Sequence, residues 1–204
     1  MVRKEIEDIA KKVVENGLKD KTELEKIIQN ITIQNEDVRY ARAVALQILS
    51  EENPELLYFY WDYFIELLGS TNTYHKIPAI ITIANLTKVD SEQKFEQIMD
   101  KYYDLLDDNS IVTTRDIAQN LGTIAKAKPN IESIITQKLL EIDNTHHDPK
   151  RLDLVKGDIV DSFKKYYKNS KEKQEILEFV KKQLNSFSPS TVKKAKEFLK
   201  KQEI

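Results

Sequence analysis

The residues with the most direct potential for metal chemistry are the three histidines. His146 and His147 are adjacent and precede Asp148, whereas His75 stands alone. Helical metal sites use ligands three or four residues apart, which places them on one face. Adjacent side chains point in different directions, so we expect a solvated loop here, with no metal and no cofactor. The absence of cysteine excludes thiolate catalysis and cysteine-bound zinc.

Sequence motifs for catalysis are also missing. The chain contains no phosphate-binding glycine loop, dinucleotide-binding glycine pattern, nucleophile elbow or zincin helix, and it has only 4 Gly. Acidic pairs such as Asp107 and Asp108 are expected at solvated helix ends. We therefore predict that the protein is not an enzyme.

An aromatic-rich stretch at 56–65 is the strongest candidate for binding chemistry. On a helix, one face would consist of Leu57, Trp61, Phe64 and Leu68. Tyr58, Phe59 and Asp62 lie toward the opposite face, and there are more aromatic residues than one buried stripe can hold. One interpretation is a protein-binding patch, because Tyr and Trp are effective anchors. The other is a bulky core helix, in which Tyr58 and Phe59 are the residues left over after packing.

Equivalent positions at intervals close to 40 hold Arg39, Lys76, Thr114 and Lys156, and the cation Arg115 is displaced by one residue from Thr114. In regularly repeating helices such positions align along one surface. There they would meet an acidic peptide or phosphate groups. The alternative is that each cation pairs with an acidic residue of a neighbouring repeat, such as Asp37 or Asp116.

Lysine is concentrated near the C-terminus. Residues 150–204 hold 15 Lys and Arg against 8 Asp and Glu, whereas residues 1–149 hold 17 against 26. Nucleic-acid binding would use such lysines on one face, and the candidates are Lys164, Lys165, Lys168, Lys171 and Lys182. Glu is interleaved and Arg is scarce, which favours a solvated face. We expect Tyr166, Tyr167 and Phe187 to be core residues rather than base-stacking ones.

The elements that carry these residues are repeated helices. Four apolar copies end at Leu49, Leu86, Ile124 and Tyr166, which are 37, 38 and 42 residues apart. Periods near 40 with two helices each are typical of helical solenoids. Three residues earlier stand Leu46, Ile83, Leu121 and Phe163, and six earlier Ala43, Ile80, Ala118 and Val160. This spacing places one apolar stripe on each helix.

The pattern predicts about eleven helices, near 3–16, 22–31, 36–50, 54–68, 74–88, 91–107, 112–127, 129–143, 150–168, 171–186 and 189–202. Asn53, Asp148 and Ser188 each precede a proline and are expected N-caps. Thr22 with Glu25 and Asp90 with Gln93 fit capping boxes. Positions four residues before each copy's end are small, at Ala45, Thr82, Asn120 and Ser162. They would let a neighbouring helix approach closely.

This arrangement resembles the HEAT and armadillo-like repeat families, and HEAT repeats most. Val38 and Arg39, followed by Ala41, Ala43, Leu46 and Leu49, match the first HEAT helix, and Pro78 stands where a HEAT kink would be. The resemblance implies an all-α, right-handed α-solenoid of about five helix pairs in one domain over 1–204, capped by 1–31 and 189–204. Some HEAT-like proteins are DNA glycosylases with an Asp one helical turn from a Trp. Here Ile65 follows Trp61 at that distance, which argues against that activity.

We predict a non-enzymatic scaffold that binds another protein or a peptide. Its predicted binding residues are Tyr58, Phe59, Asp62, Arg39, Lys76 and Arg115. The alternative is a nucleic-acid-associated protein that uses its basic C-terminal third. No apolar run approaches the roughly 18–20 residues that span a bilayer. The charged N-terminus is unlike a signal peptide, so we expect a cytoplasmic protein without membrane partners.

Overall fold

The computed structural model describes residues 3–202, and their regular elements are all helical. Among these helices, none combines the length and the apolar composition required to cross a bilayer. Contacts divide the chain into two compact units, residues 1–90 and 91–204. The expected single repeat domain stays a prediction. The outermost residues of its terminal caps, 1–2 and 203–204, lie outside the described part.

The first unit contains α1 (Arg3–Lys19), α2 (Lys21–Gln29), α3 (Glu36–Glu52), α4 (Pro54–Leu57), α5 (Trp61–Leu68) and α6 (Thr73–Leu86). Single 3₁₀ turns occupy Asn30–Thr32 and Tyr58–Tyr60. Helix α3 packs between α1 and α6, while α2 packs on α1 and α5 packs on α6. When α4 and α5 are counted as one interrupted helix, the alternate helices α1, α3 and α6 therefore lie side by side.

The second unit contains α7 (Lys94–Tyr103), α8 (Ile111–Ala127), α9 (Glu132–Leu140), α10 (Pro149–Tyr166), α11 (Lys173–Lys182) and α12 (Pro189–Lys201). Its 3₁₀ turns are Asp104–Asp107, Ile142–Asn144, Tyr167–Asn169 and Gln183–Asn185. Helix α10 packs between α8 and α12, and α9 contacts α11. The arrangement repeats the side-by-side packing of alternate helices.

The predicted apolar stripes form the cores of the two units. The residues three before each copy's end are completely buried, namely Leu46, Ile83, Leu121 and Phe163. The last residues of the copies are buried as well. Burial of one such side chain stabilises the fold by about 1.5–3 kcal/mol, so the stripe accounts for much of the helix-to-helix packing.

The helices α8 and α10 are in close contact where Gly122 faces Ser162. The Ser162 hydroxyl donates to the carbonyl of Ala118, and the Gly122 N–H donates to Ser162 Oγ at 3.1 Å. A Cβ on Gly122 would lie 2.6 Å from the Ser162 Cα. Small residues at this crossing therefore set the interhelical distance, as the sequence predicted for Ser162.

Several predicted helix ends differ from the structure. The expected helix 54–68 is interrupted by the 3₁₀ turn Tyr58–Tyr60, and the expected helix 91–107 begins only at Lys94. The capping box of Asp90 with Gln93 is wrong, because Gln93 has a left-handed backbone (φ 56°) and makes no side-chain capping bond. Asp20 caps α2 in place of Thr22. Asp148 and Ser188 cap α10 and α12 as predicted.

Candidate protein-binding surface

Phe59 is the centre of the candidate site because its side chain is 87% exposed. It lies in the 3₁₀ turn between two buried residues, Leu57 and Trp61, which face the core of the first unit. With those neighbours directed inward, the turn presents the intervening ring to solvent. The Phe59 ring meets Tyr60 edge-on at a centroid distance of 5.5 Å.

A concavity of about 360 Å³ lies beside this ring. Its apolar lining includes Leu18 at the end of α1, Leu24 of α2, and Leu56, Phe59 and Tyr60. Leu18 is 48% exposed and Leu56 is 39% exposed. We call Leu18, Leu56, Phe59 and Tyr60 the Phe59 surface. Its members come from two chain segments that the fold of the first unit brings together.

The polar rim of the concavity consists of Lys19, Asp20 and Lys21. The Asp20 carboxylate accepts a hydrogen bond from the Thr22 backbone N–H at 2.8 Å and is therefore used as a helix cap. The Tyr60 hydroxyl donates to Glu25 at 3.4 Å. Burial, together with the nearby Glu25 charge, raises the pKa of Tyr60. The site is thus apolar in its centre, with mixed charges at its edge.

Two predicted residues next to this surface have different environments. The Tyr58 hydroxyl donates to Asp90 at 2.6 Å, and its ring packs against Trp61 at 5.7 Å. Tyr58 is therefore engaged within the first unit and is not left over after packing. Asp62 is exposed in the first turn of α5.

The predicted cations Arg39 and Lys76 are engaged within the first unit. Arg39 Nη1 donates to the carbonyl of Ile33 at 3.2 Å, and the guanidinium stands 5.0 Å from the centre of the Tyr74 ring. The Lys76 side chain is buried, with 7% of its surface exposed. The Arg39 hydrogen bond fixes the turn before α3, and Lys76 is buried within α6.

In the second unit, Arg115 donates through Nε to Asp158 Oδ2 at 2.7 Å. This hydrogen bond raises the pKa of Arg115. Lys156, the next predicted cation along the chain, pairs with Asp143 at 2.6 Å. These contacts place an acidic partner beside each of the two cations.

The lysines predicted for nucleic-acid binding occupy two kinds of environment. Lys164 contacts Asp161 at 2.8 Å and Glu197 at 3.8 Å. Lys165 donates to the carbonyl of Gln119 and to Thr123 Oγ1, both at 2.9 Å. The remaining candidates are exposed, namely Lys168, Lys171 and Lys182.

The aromatic residues of the C-terminal third also differ in their burial. Tyr166 and Tyr167 are buried, as expected. Phe187 is 86% exposed, so its assignment to the core is wrong. The Asp153 carboxylate accepts the Phe187 backbone N–H at 2.7 Å, which fixes the loop while the ring stays outside.

A cluster that sequence spacing did not indicate joins Asp107 to the paired histidines. Asp107 Oδ1 accepts the His146 backbone N–H at 2.8 Å and lies 2.6 Å from His146 Nδ1. The backbone hydrogen bond from His146 lowers the pKa of Asp107. His147 is buried, contrary to the expected solvated loop, and its Nε2 lies 2.9 Å from Thr114 Oγ1.

Burial lowers the pKa of His147, and the neighbouring His146 acts in the same direction. The charge of Asp107 and a hydrogen bond to the Asp108 backbone oppose this shift. Sequence reasoning missed the cluster because Asp107 stands 39 residues before His146.

Comparison with known proteins supports the fold. No family model matches the chain, and no curated protein matches it. Among solved structures, the fold is similar to a crystal structure described as an engineered protein of the Northeast Structural Genomics Consortium. That protein is 18% identical, the TM-score is 0.53, and the match covers 97% of this chain and 88% of the other. This likeness extends to the all-helical fold alone.

Proposed function

We propose that this protein is a non-enzymatic, HEAT-like solenoid that binds a segment of another protein through the Phe59 surface. The observation that carries the proposal is the exposure of Phe59 beside an apolar concavity. A partner would insert an apolar side chain among Leu18, Leu56 and Phe59. Burial of a Phe side chain contributes about 1.5–3 kcal/mol, which suits an anchor residue at the centre of an interface.

The solenoid part of the proposal is supported by the spacing of long-range contacts within each unit. Hydrogen bonds join Ser50 to Asn85, which are 35 residues apart, and Gly122 to Ser162, which are 40 apart. In a solenoid each repeat contacts only its neighbours, so partners are expected about one period apart. A right-handed superhelix of about five HEAT-like pairs is the arrangement we propose.

The nucleic-acid alternative has weaker support. Lys164 is surrounded by Asp161 and Glu197, and Lys165 binds α8, so two of its five lysines are already held by protein groups. Counterion release requires cations that meet phosphates without competing carboxylates nearby. Salt-dependent binding of DNA or RNA would restore this alternative.

A matched pair of variants tests the proposed surface. Phe59→Ala removes the anchor, whereas Phe187→Ala removes an equally exposed ring that does not line the concavity. We expect the free energy of unfolding of each variant to lie within about 0.5 kcal/mol of the wild-type value, because both rings are exposed. A partner captured by wild type and by Phe187→Ala, but not by Phe59→Ala, supports the proposal.

The affinity for that partner supplies the quantitative test. Loss of about 1.5–3 kcal/mol corresponds to a dissociation constant weakened by about 10- to 150-fold in Phe59→Ala. Titration calorimetry with the purified partner measures it. Equal affinities for wild type and Phe59→Ala would refute the assignment of the Phe59 surface.

A further inference from the structure

Three metal-ligating side chains meet in the second unit. One ligand atom from each of Asp107, His146 and His147 lies within 4.8 Å of the other two. Asp107 closes the 3₁₀ turn Asp104–Asp107, and both histidines belong to the loop before α10. Two imidazoles and one carboxylate are a donor set that zinc and related divalent ions accept.

The hydrogen-bonded distance between His146 and Asp107 is shorter than the distance between two ligands of one metal ion. His146 Nδ1 and Asp107 Oδ1 are 2.6 Å apart and share a hydrogen bond. Two ligands about 2.0 Å from a tetrahedral ion lie roughly 3.3 Å apart. Both side chains are about half exposed, so rotation of the His146 ring can open this gap.

His147 is held in the way that metal-binding histidines usually are. Its Nε2 lies 2.9 Å from the hydroxyl of Thr114, which is completely buried in α8. An oxygen partner on one ring nitrogen fixes the ring and directs the other nitrogen to the ion. Because Nε2 is held by Thr114, we assign Nδ1 as the ligand atom of His147.

We propose that Asp107, His146 and His147 bind one divalent ion of the zinc class, with Thr114 as a positioning residue. Both imidazoles bind as neutral ligands, and His146 does so with its proton on Nε2, which leaves the Nδ1 lone pair for the ion. The side chains of Asp107 and His146 are about half exposed, so the ion and a fourth ligand reach the site from solvent. The ion would join the turn after α7 to the loop before α10. This site is independent of the Phe59 surface.

Zn²⁺ titration of the full chain, followed by calorimetry, tests the site. We expect saturable binding of one ion per chain. His146→Ala and Asp107→Asn remove exposed ligands, and each should weaken binding about tenfold or more. Asp107→Asn retains an oxygen that can accept the His146 backbone N–H. His75→Ala, which removes the histidine outside the cluster, should leave the dissociation constant unchanged.

Thr114→Val tests whether the Thr114 hydroxyl positions His147 for the ion, which adventitious binding would not require. Valine keeps the buried volume and removes the hydroxyl, so Zn²⁺ affinity should fall about tenfold. In nitrogen-15 spectra of the histidines, Zn²⁺ should shift Nδ1 of His147. The proposal would be overturned by absence of saturable binding, by equal affinity in His146→Ala, or by coordination through Nε2 of His147. The cluster would then only connect the two loops by hydrogen bonds.

Discussion

Replacement of Gly122 by Ala probes the close contact between α8 and α10. The added methyl would lie 2.6 Å from both Cα and the carbonyl oxygen of Ser162, and 2.8 Å from its Cβ. Optimal carbon contacts are about 3.5–4.0 Å. Two of the three close atoms are backbone, so no change of rotamer removes the overlap. The helices must separate by roughly 1 Å to restore that contact distance.

The expected cost combines three effects. Overpacking of a tight core destabilises by about 1–3 kcal/mol. Separation also weakens the buried Gly122 to Ser162 hydrogen bond, which contributes about 0.5–1.5 kcal/mol. Alanine is favoured over glycine in a helix by about 1 kcal/mol, which offsets part of the loss. We therefore expect Gly122→Ala to lower the free energy of unfolding by about 1–3 kcal/mol.

Urea unfolding followed by circular dichroism measures this loss, and hydrogen exchange of the α8 amides locates it. Gly69→Ala is the matched control, because its new Cβ would meet its nearest neighbour, the Glu66 carbonyl oxygen, at an ordinary 3.4 Å. That variant should remain within about 0.5 kcal/mol of wild type. If Gly122→Ala were as stable as wild type, close packing at Ser162 would not set the helix spacing.

Two further substitutions test buried charges in the second unit. Burial raises the pKa of Asp116 to about 6; the charge of Arg115 opposes this shift and that of Asp158 adds to it. The folded state thus binds the Asp116 proton more tightly than the unfolded state does. The contribution of Asp116 to stability therefore falls as the pH rises from about 4 to 6. The stability of Asp116→Asn relative to wild type should therefore rise by about 1–3 kcal/mol between pH 4 and pH 7, as measured by urea unfolding at each pH. A stability difference that does not change with pH would contradict the raised pKa of Asp116. Glu132 is buried and accepts from Thr136 and Ser170 at 2.7 and 2.8 Å, so Glu132→Ala should cost about 1.5–3 kcal/mol by urea unfolding. Glu132→Gln keeps an acceptor and should cost less than half as much, and equal losses would refute a hydrogen-bonding role.

The core was predictable because helical periodicity is a local property of the chain. Leu46, Leu121 and Phe163 are buried because their spacing alone places them on one face. The 3₁₀ turn Tyr58–Tyr60 was not predictable in this way. It lies where Tyr58 bonds to Asp90, 32 residues later, and such tertiary contacts override local helix preference.

The exposure of Phe59 had a local signal, since 56–65 holds more aromatic residues than one buried face can take. The hydrogen bond of its neighbour Tyr58 to Asp90 had no such local signal. The sequence near Asp90 suggested a capping box instead. The outcome for Arg115 is similar, as its partner Asp158 is 43 residues away. An excess of aromatic residues in one segment can be counted directly from the sequence. The identity of a distant partner depends instead on how separate helices pack against each other.

The repeat period nevertheless contains information about distant partners. Contacts within a unit join residues about one period apart, as for Thr114 with His147 (33 apart) and Asp107 with His146 (39 apart). If consecutive copies pack in parallel register, a polar residue on one copy faces the residue about 30 to 46 positions later. Spacing within one helix therefore could not reveal the contact between His146 and Asp107. A search for ligands one period away would have found Asp107, which is why the paired histidines carry a metal-site proposal in the folded protein.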